Sequence, residues 1–368
     1  MTPQPPDPSD SSSDTSPLAP DTADSYGAGP SDGGGPPADG VSAPAPPSRP
    51  GTSTFTIEGK AAPGLFVLGW LATLAGFGAI VVAVMSGGGI AGSLLLVAGL
   101  IVLSIGLVAG AGGQAIERRA RGVLPYTGPS PFLVFLAGIP ISGVLLIVAG
   151  LLFGLLRVPV DGPFGRLVSV LLQAVVYVGL VRLLVVDSGA LSWSAMGITR
   201  PRLPALGDMG FGALWAIPVI VATVPFAYIV TRFVPVAPAS PLPPAGDTPG
   251  FIVNLLAGAV VAPISEEIMF RGFATTAWMR GMGRWRGVVR GALFFAVVHV
   301  LTISGIDANQ AVGVAIAAFV GRIPVAFALG WLFQRTGTIW ASLGLHATFN
   351  AILLIIAEIA VRTGIPAT

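Results

Sequence analysis

Residues 65–113 read LFVLGWLATLAGFGAIVVAVMSGGGIAGSLLLVAGLIVLSIGLVAGAGG, 49 residues without one charged side chain. One bilayer crossing needs about 20 mostly apolar residues, so this stretch is too long for one span and suffices for two. Ser86-Gly87-Gly88-Gly89 supplies the break between them. Working outward, comparable runs occupy about 132–155, 167–186, 208–231, 250–274, 287–304, 311–333 and 338–360. Inside a bilayer every backbone polar group must bond within its own segment, which a helix achieves alone. The sequence therefore predicts an all-α, polytopic transmembrane bundle of eight or nine spans.

Composition agrees. Of 368 residues, 53% are hydrophobic and only 10% charged, against roughly 25% charge in a soluble domain. Residues 55–368 hold just 28 charged side chains, too few to cover a soluble globule. Cysteine is absent, which excludes disulfides, thiolate metal sites and cysteine nucleophiles. Residues 1–54 are Pro, Ser, Asp, Gly, Ala and Thr with almost nothing large and apolar. Such a segment cannot bury enough surface to offset ordering entropy and is expected to be disordered. It lacks the basic and apolar regions of a cleavable signal peptide. The chain thus divides into a tail, 1–54, and an integral membrane domain, 55–368.

Arginine sets the orientation. One group of alternate connections holds Arg118, Arg119, Arg121, Arg200, Arg202, Arg280, Arg284, Arg286, Arg290 and Arg335; the other holds Arg157, Arg166, Arg232 and Arg362. With nine spans, the positive-inside bias puts the N-terminus in the cytoplasm and the C-terminus outside. These bases lie between spans, so they read as a topology signal, and no nucleic-acid surface is expected. One lysine among many Ala, Gly and Arg points to a bacterial cytoplasmic membrane. Gly106-Leu-Val-Ala-Gly110 has close-packing spacing, a match near chance in a chain with 50 glycines.

Ionisable groups inside a span are costly and are candidates for function. They gather in the last third: Glu266, Glu267 and Arg271 in the sixth run, His299 in the seventh, Arg322 in the eighth, His346 and Asn350 in the ninth. Both histidines of the chain are in this set. Glu267 and Arg271 are i,i+4 and can pair on one helix face. Glu266 is turned about 100° away and is left free, the condition for a general base. His346 and Asn350, also i,i+4, project together. Glu266 lies 16 residues before Met282 and His299 17 after it, so a hairpin turning at Gly281-Met282-Gly283 puts them level. The set predicts one hydrated pocket. Arg322, just before Pro324, is read as a partner for the glutamates or a substrate carboxylate, or for Glu358 or a loosened helix carbonyl. Asp307, Asn309 and Gln310 read as a solvated loop.

Ser265-Glu-Glu-Ile-Met-Phe-Arg271 fits EExxxR, Phe295-Ala-Val-Val-His299 fits FxxxH, and His346-Ala-Thr-Phe-Asn350 fits HxxxN. In this order, on separate spans, over about 245–355, they resemble the CPBP family of intramembrane proteases, which includes the type II CAAX prenyl endopeptidases. The resemblance implies endopeptidase activity on a membrane-associated protein or peptide, of CAAX or peptide-precursor type. It implies that Glu266 activates water with His299 as partner, that Glu267 and Arg271 orient, and that His346 and Asn350 stabilise the oxyanion. Family mechanisms with and without metal are both argued. No cofactor is favoured; zinc on Glu266, His299 and His346 is the alternative. An ion- or proton-coupled transporter and a non-catalytic scaffold of the same fold remain rival readings. Partners are the substrate and the bilayer, with oligomeric state open.

Overall fold

The computed structural model describes residues 57–122, 124–233, 243–302 and 308–364. The chain separates into two units, Met1–Pro47 and Ser48–Thr368, and everything described lies in the second. The expectation of disorder for 1–54 and the position of Asp307 fall outside the described residues; Asn309 and Gln310, read as a solvated loop, lie instead in the first turn of a helix, Ala308–Thr336.

The described residues form helices without strands: α1 Pro63–Met85, α2 Gly89–Ala120, α3 Pro131–Leu156, α4 Pro163–Val186, α5 Leu203–Phe233, α6 Thr248–Met282, α7 Arg284–Val298, α8 Ala308–Thr336 and α9 Ile339–Thr363. Among the described residues eight helices are long and apolar enough to cross a membrane. α7, the seventh of the nine runs, is the one whose helix falls below that length. Its 15 residues rise about 22 Å at 1.5 Å each, short of a 30 Å hydrocarbon layer. Its first turns carry Arg284, Arg286 and Arg290, and it buries one face through Phe294, Phe295, Ala296 and Val298 while Leu293 and Val297 stay exposed. The His299 ring closes its end by donating Nδ1–H to the Phe295 carbonyl, 2.7 Å away, and the chain continues as a 3₁₀ turn, His299–Thr302.

Local chemistry explains the breaks. Gly87, Gly88 and Gly89 all have positive φ, tolerated by glycine alone without strain, and fold α2 back along α1. Gly106 lies at that α1–α2 contact, where an added Cβ would come within 2.6 Å of Thr73 Oγ1. The spacing discounted in sequence is therefore used in packing. Gly283, at φ 90°, is the single residue between α6 and α7.

Two features position the interior. α6 is not uniformly α-helical: Leu256–Val261 and Glu267–Thr275 are π-wound, on either side of an α segment, Ala262–Glu266. Such i→i+5 segments are rare and frequent at functional sites. The α5–α9 crossing is glycine-dependent. A Cβ on Gly344 would lie 2.8 Å from the Met209 carbonyl carbon, and one on Gly212 2.7 Å from that of Ala341. No side chain fits between backbones this close, so these glycines set the height and rotation of α9. Gly344→Val is expected to lower stability by roughly 1–3 kcal/mol, the cost of overpacking. Gly179→Ala, in open space on α4, should be near neutral; thermal denaturation of the detergent-solubilised protein distinguishes them.

Candidate active site

α6 brings two adjacent carboxylates inward, and they divide their work. Glu267 and Arg271 are fully enclosed, with side chains 0% and 2% exposed. Arg271 Nη1 donates to Glu267 Oε1 at 2.9 Å, and the guanidinium lies over the Phe295 ring, 4.0 Å from its centroid. The same Oε1 accepts a second bond, 2.8 Å from His346 Nδ1 on α9. One carboxylate oxygen thus ties α6 to itself and to α9.

Glu266 turns its Oε2 toward the two imidazoles. Its Oε2 is 3.7 Å from His299 Nε2 and 3.7 Å from His346 Nε2. These separations exceed a hydrogen bond, and Oε2 is buried without a hydrogen-bond partner. The ring tautomers follow from their partners. A backbone carbonyl only accepts, so His299 donates from Nδ1; Glu267, paired with Arg271, accepts from His346 Nδ1. In a neutral ring held this way Nε2 is an acceptor, and both Nε2 atoms lie 3.7 Å from Glu266 Oε2.

The sequence-selected residues are placed as follows. Glu266, Glu267, Arg271, His299 and His346 come together. Asn350 is on the same face of α9 but donates Nδ2–H to the Gly258 carbonyl, 2.8 Å away in the first π segment of α6, leaving its second amide proton. A 3.6-residue count kept Glu266 and Glu267 from sharing a partner, whereas in the structure His346 contacts both, one through each ring nitrogen. Arg322 does not reach Glu358. It donates to the Ala318 carbonyl at 3.1 Å, and Glu358 is held by Arg362 Nε at 2.8 Å and by the Ala245 amide at 2.9 Å.

Phe295 is more than a core aromatic. Besides carrying Arg271, its ring lies 4.3 Å from that of His299 and 5.6 Å, edge-on, from that of His346, so it spaces the three ionisable groups. α4 contributes Tyr177, packed edge-on to Phe270 and within electrostatic range of Glu266. Its hydroxyl accepts from Gln173 Nε2 at 2.9 Å. No motif marks it; its only sequence signal is a Gln and a Tyr four apart in an apolar run.

A zinc ion would need its ligands about 2.0–2.2 Å away, hence roughly 3.4 Å from one another. Glu266 Oε2 stands 3.7 Å from each Nε2, and among the described residues no group of three such side chains is placed to hold an ion.

Residues 248–352 match the family model of Rce1-like type II CAAX prenyl endopeptidases. The matched segment is under a third of the chain and includes all six site residues. No curated protein and no solved structure matches. The Rce1-like segment and the apolar helices together make this an integral membrane protein, and the family is one of membrane-embedded proteases acting on membrane-associated substrates.

Removing one member of a buried ion pair strands the other. Glu267→Ala is therefore expected to cost about 3–5 kcal/mol, whereas Glu267→Leu with Arg271→Met, which removes both charges, should cost less. Thermal midpoints in detergent test the order.

Proposed function

We propose that the protein is an intramembrane endopeptidase in which Glu266 activates the attacking water. The observation carrying this reading is the approach of Glu266 Oε2 to the two Nε2 atoms, 3.7 Å to each, at the meeting of α6, the end of α7 and α9. Water there is polarised by donating to Glu266 and His299, and its proton passes to this pair as its oxygen attacks the scissile carbonyl. The same pair returns the proton to the leaving amine. The tetrahedral oxyanion forms beside α9. Asn350 offers its second amide proton to it, and His346, held through Nδ1 by the Glu267 carboxylate at 2.8 Å, lines its other side. Glu267 and Arg271 do not touch the reacting atoms; they hold His346 in place.

On this reading no metal takes part, and the substrate is a membrane-associated protein or peptide of CAAX or precursor type. The arginine-rich end faces the cytoplasm of a bacterial cell. A transporter would favour ionisable groups strung toward both faces, whereas these gather around one hollow.

Glu266→Gln is expected to lower turnover by about 10²–10⁴-fold, the usual share of general acid–base catalysis, with an unchanged thermal midpoint, because Oε2 has no bond to lose. Comparing membrane proteomes of cells producing the wild type and this variant should reveal a trimmed terminus only with the wild type. Equal trimming by both would remove Glu266 from the role of base. Asn350→Ala is expected to lower kcat by about 10²–10³-fold. Chelators should leave the rate unchanged; a chelator-induced loss restored by zinc would assign the site to a metal.

A further inference from the structure

The mechanism leaves Arg322 unused. It stands at the midpoint of α8, fourteen residues from either end of Ala308–Thr336. Ala318, Val325, Ala326 and Leu329, which are three, four and seven positions away, are all buried, so Arg322 lies on the inward face of its helix. α8 packs on the π segment Glu267–Thr275 and on the His299–Thr302 turn, and Arg322 is within electrostatic range of Glu266 and His299. The residue is itself only half-buried, so its guanidinium can be reached.

A charge at this depth is costly and calls for a partner. Among the described residues no carboxylate lies within 4 Å of Arg322. Its Nη1 donates to the Ala318 carbonyl of its own helix at 3.1 Å. That leaves the Nε and Nη2 edge, whose parallel N–H groups match the two oxygens of a carboxylate. Glu266 stays beyond contact, where a buried pair made to neutralise itself would close. Phospholipid phosphates stay at the bilayer surfaces, about 15 Å from the midplane. The anion that suits Arg322 therefore arrives on a polypeptide.

Gly337 and Thr338 alone join α8 to α9, so depths along the two helices compare directly. His346 and Asn350 lie about 10 and 16 Å from that connection, and Arg322 about 21 Å. The guanidinium leans deeper still, over Ala318. An extended peptide crosses such a gap in roughly two to four residues. A peptide entering from the arginine-rich end has its last residue deepest, and that residue carries a free carboxylate. We infer that Arg322 binds the C-terminal carboxylate of the peptide substrate, so that the scissile bond is set by counting back from the end of that chain. The choice of a peptide rests on the endopeptidase reading; an acidic side chain is the other source of the same chemistry.

The test uses randomised hexapeptides bearing an N-terminal acyl chain, made as free acids, as C-terminal amides and as amides ending in glutamate. Their retention by the full-length Glu266→Gln protein in phosphatidylcholine nanodiscs is counted by mass spectrometry against empty nanodiscs. Free acids are expected to be retained on the order of tenfold over both kinds of amide, as a charge-assisted bond provides. Adding Arg322→Gln should bring the acids down to the level of the amides. Arg322→Lys, which keeps the charge without the fork, should keep part of the preference. Equal retention of acids and plain amides overturns the inference, and so does retention of the glutamate-ended amides alongside the acids. Loss of acids and amides alike in both Arg322 variants makes the residue structural and overturns it too. Trimming by protein with Glu266 intact separates this inference from the proposed function. Acids and amides trimmed at equal rates reject the carboxylate site alone; acid preference in retention with nothing trimmed rejects the endopeptidase reading alone.

Discussion

A single carboxylate oxygen, Glu267 Oε1, holds the interior together. It accepts from Arg271 and from His346, and both bonds run where water is scarce and an unpaired charge would be costly. Arg271 is enclosed by this oxygen and the Phe295 face; His346 is fixed in tautomer and tilt. Glu267 is thereby engaged through Oε1, while its Oε2, like that of Glu266, is buried without a hydrogen-bond partner. The two carboxylates meet different partners from adjacent positions of a helix that is partly π-wound.

The fold was legible in residues 65–113 and their counterparts, since the bilayer permits so few alternatives. The seventh run differs from the other eight in that its helix, α7, has only 15 residues, with Arg284, Arg286 and Arg290 in its own first turns. Glycine packing was harder to read. In a chain with 50 glycines no spacing is rare, and only the facing backbone tells Gly106, Gly212 and Gly344 from glycines in open space.

Much of the candidate site was also legible, because ionisable residues are conspicuous in a charge-poor chain. The pair Glu267–Arg271 and the level positions of Glu266 and His299 followed from helical spacing. What spacing could not supply was winding. Counting at 3.6 residues per turn separated Glu266 from Glu267, whereas the change from α to π at Glu267 lets both reach one imidazole. Nor could it foresee that Asn350 bonds a backbone carbonyl, Gly258, which lies in the other π segment, Leu256–Val261. The roles of Phe295 and Tyr177 depend on what they touch, and apolar runs contain many such rings.

The α6–α7 hairpin has a further consequence. His346 lies seven residues into α9, roughly 10 Å of helix, while Glu266 lies 16 residues, at most about 24 Å, before Met282. These residues meet, and Gly272 already packs against Met196 and Ile198 in the connection at that end, so the hairpin tip overhangs the start of α9. The hairpin is braced there as well: Trp278 is buried against Phe132 of α3 and carries Arg290 on its face. Glu266 and His299 thus sit on the two arms of one clamped unit, and His346 stands on a neighbouring post.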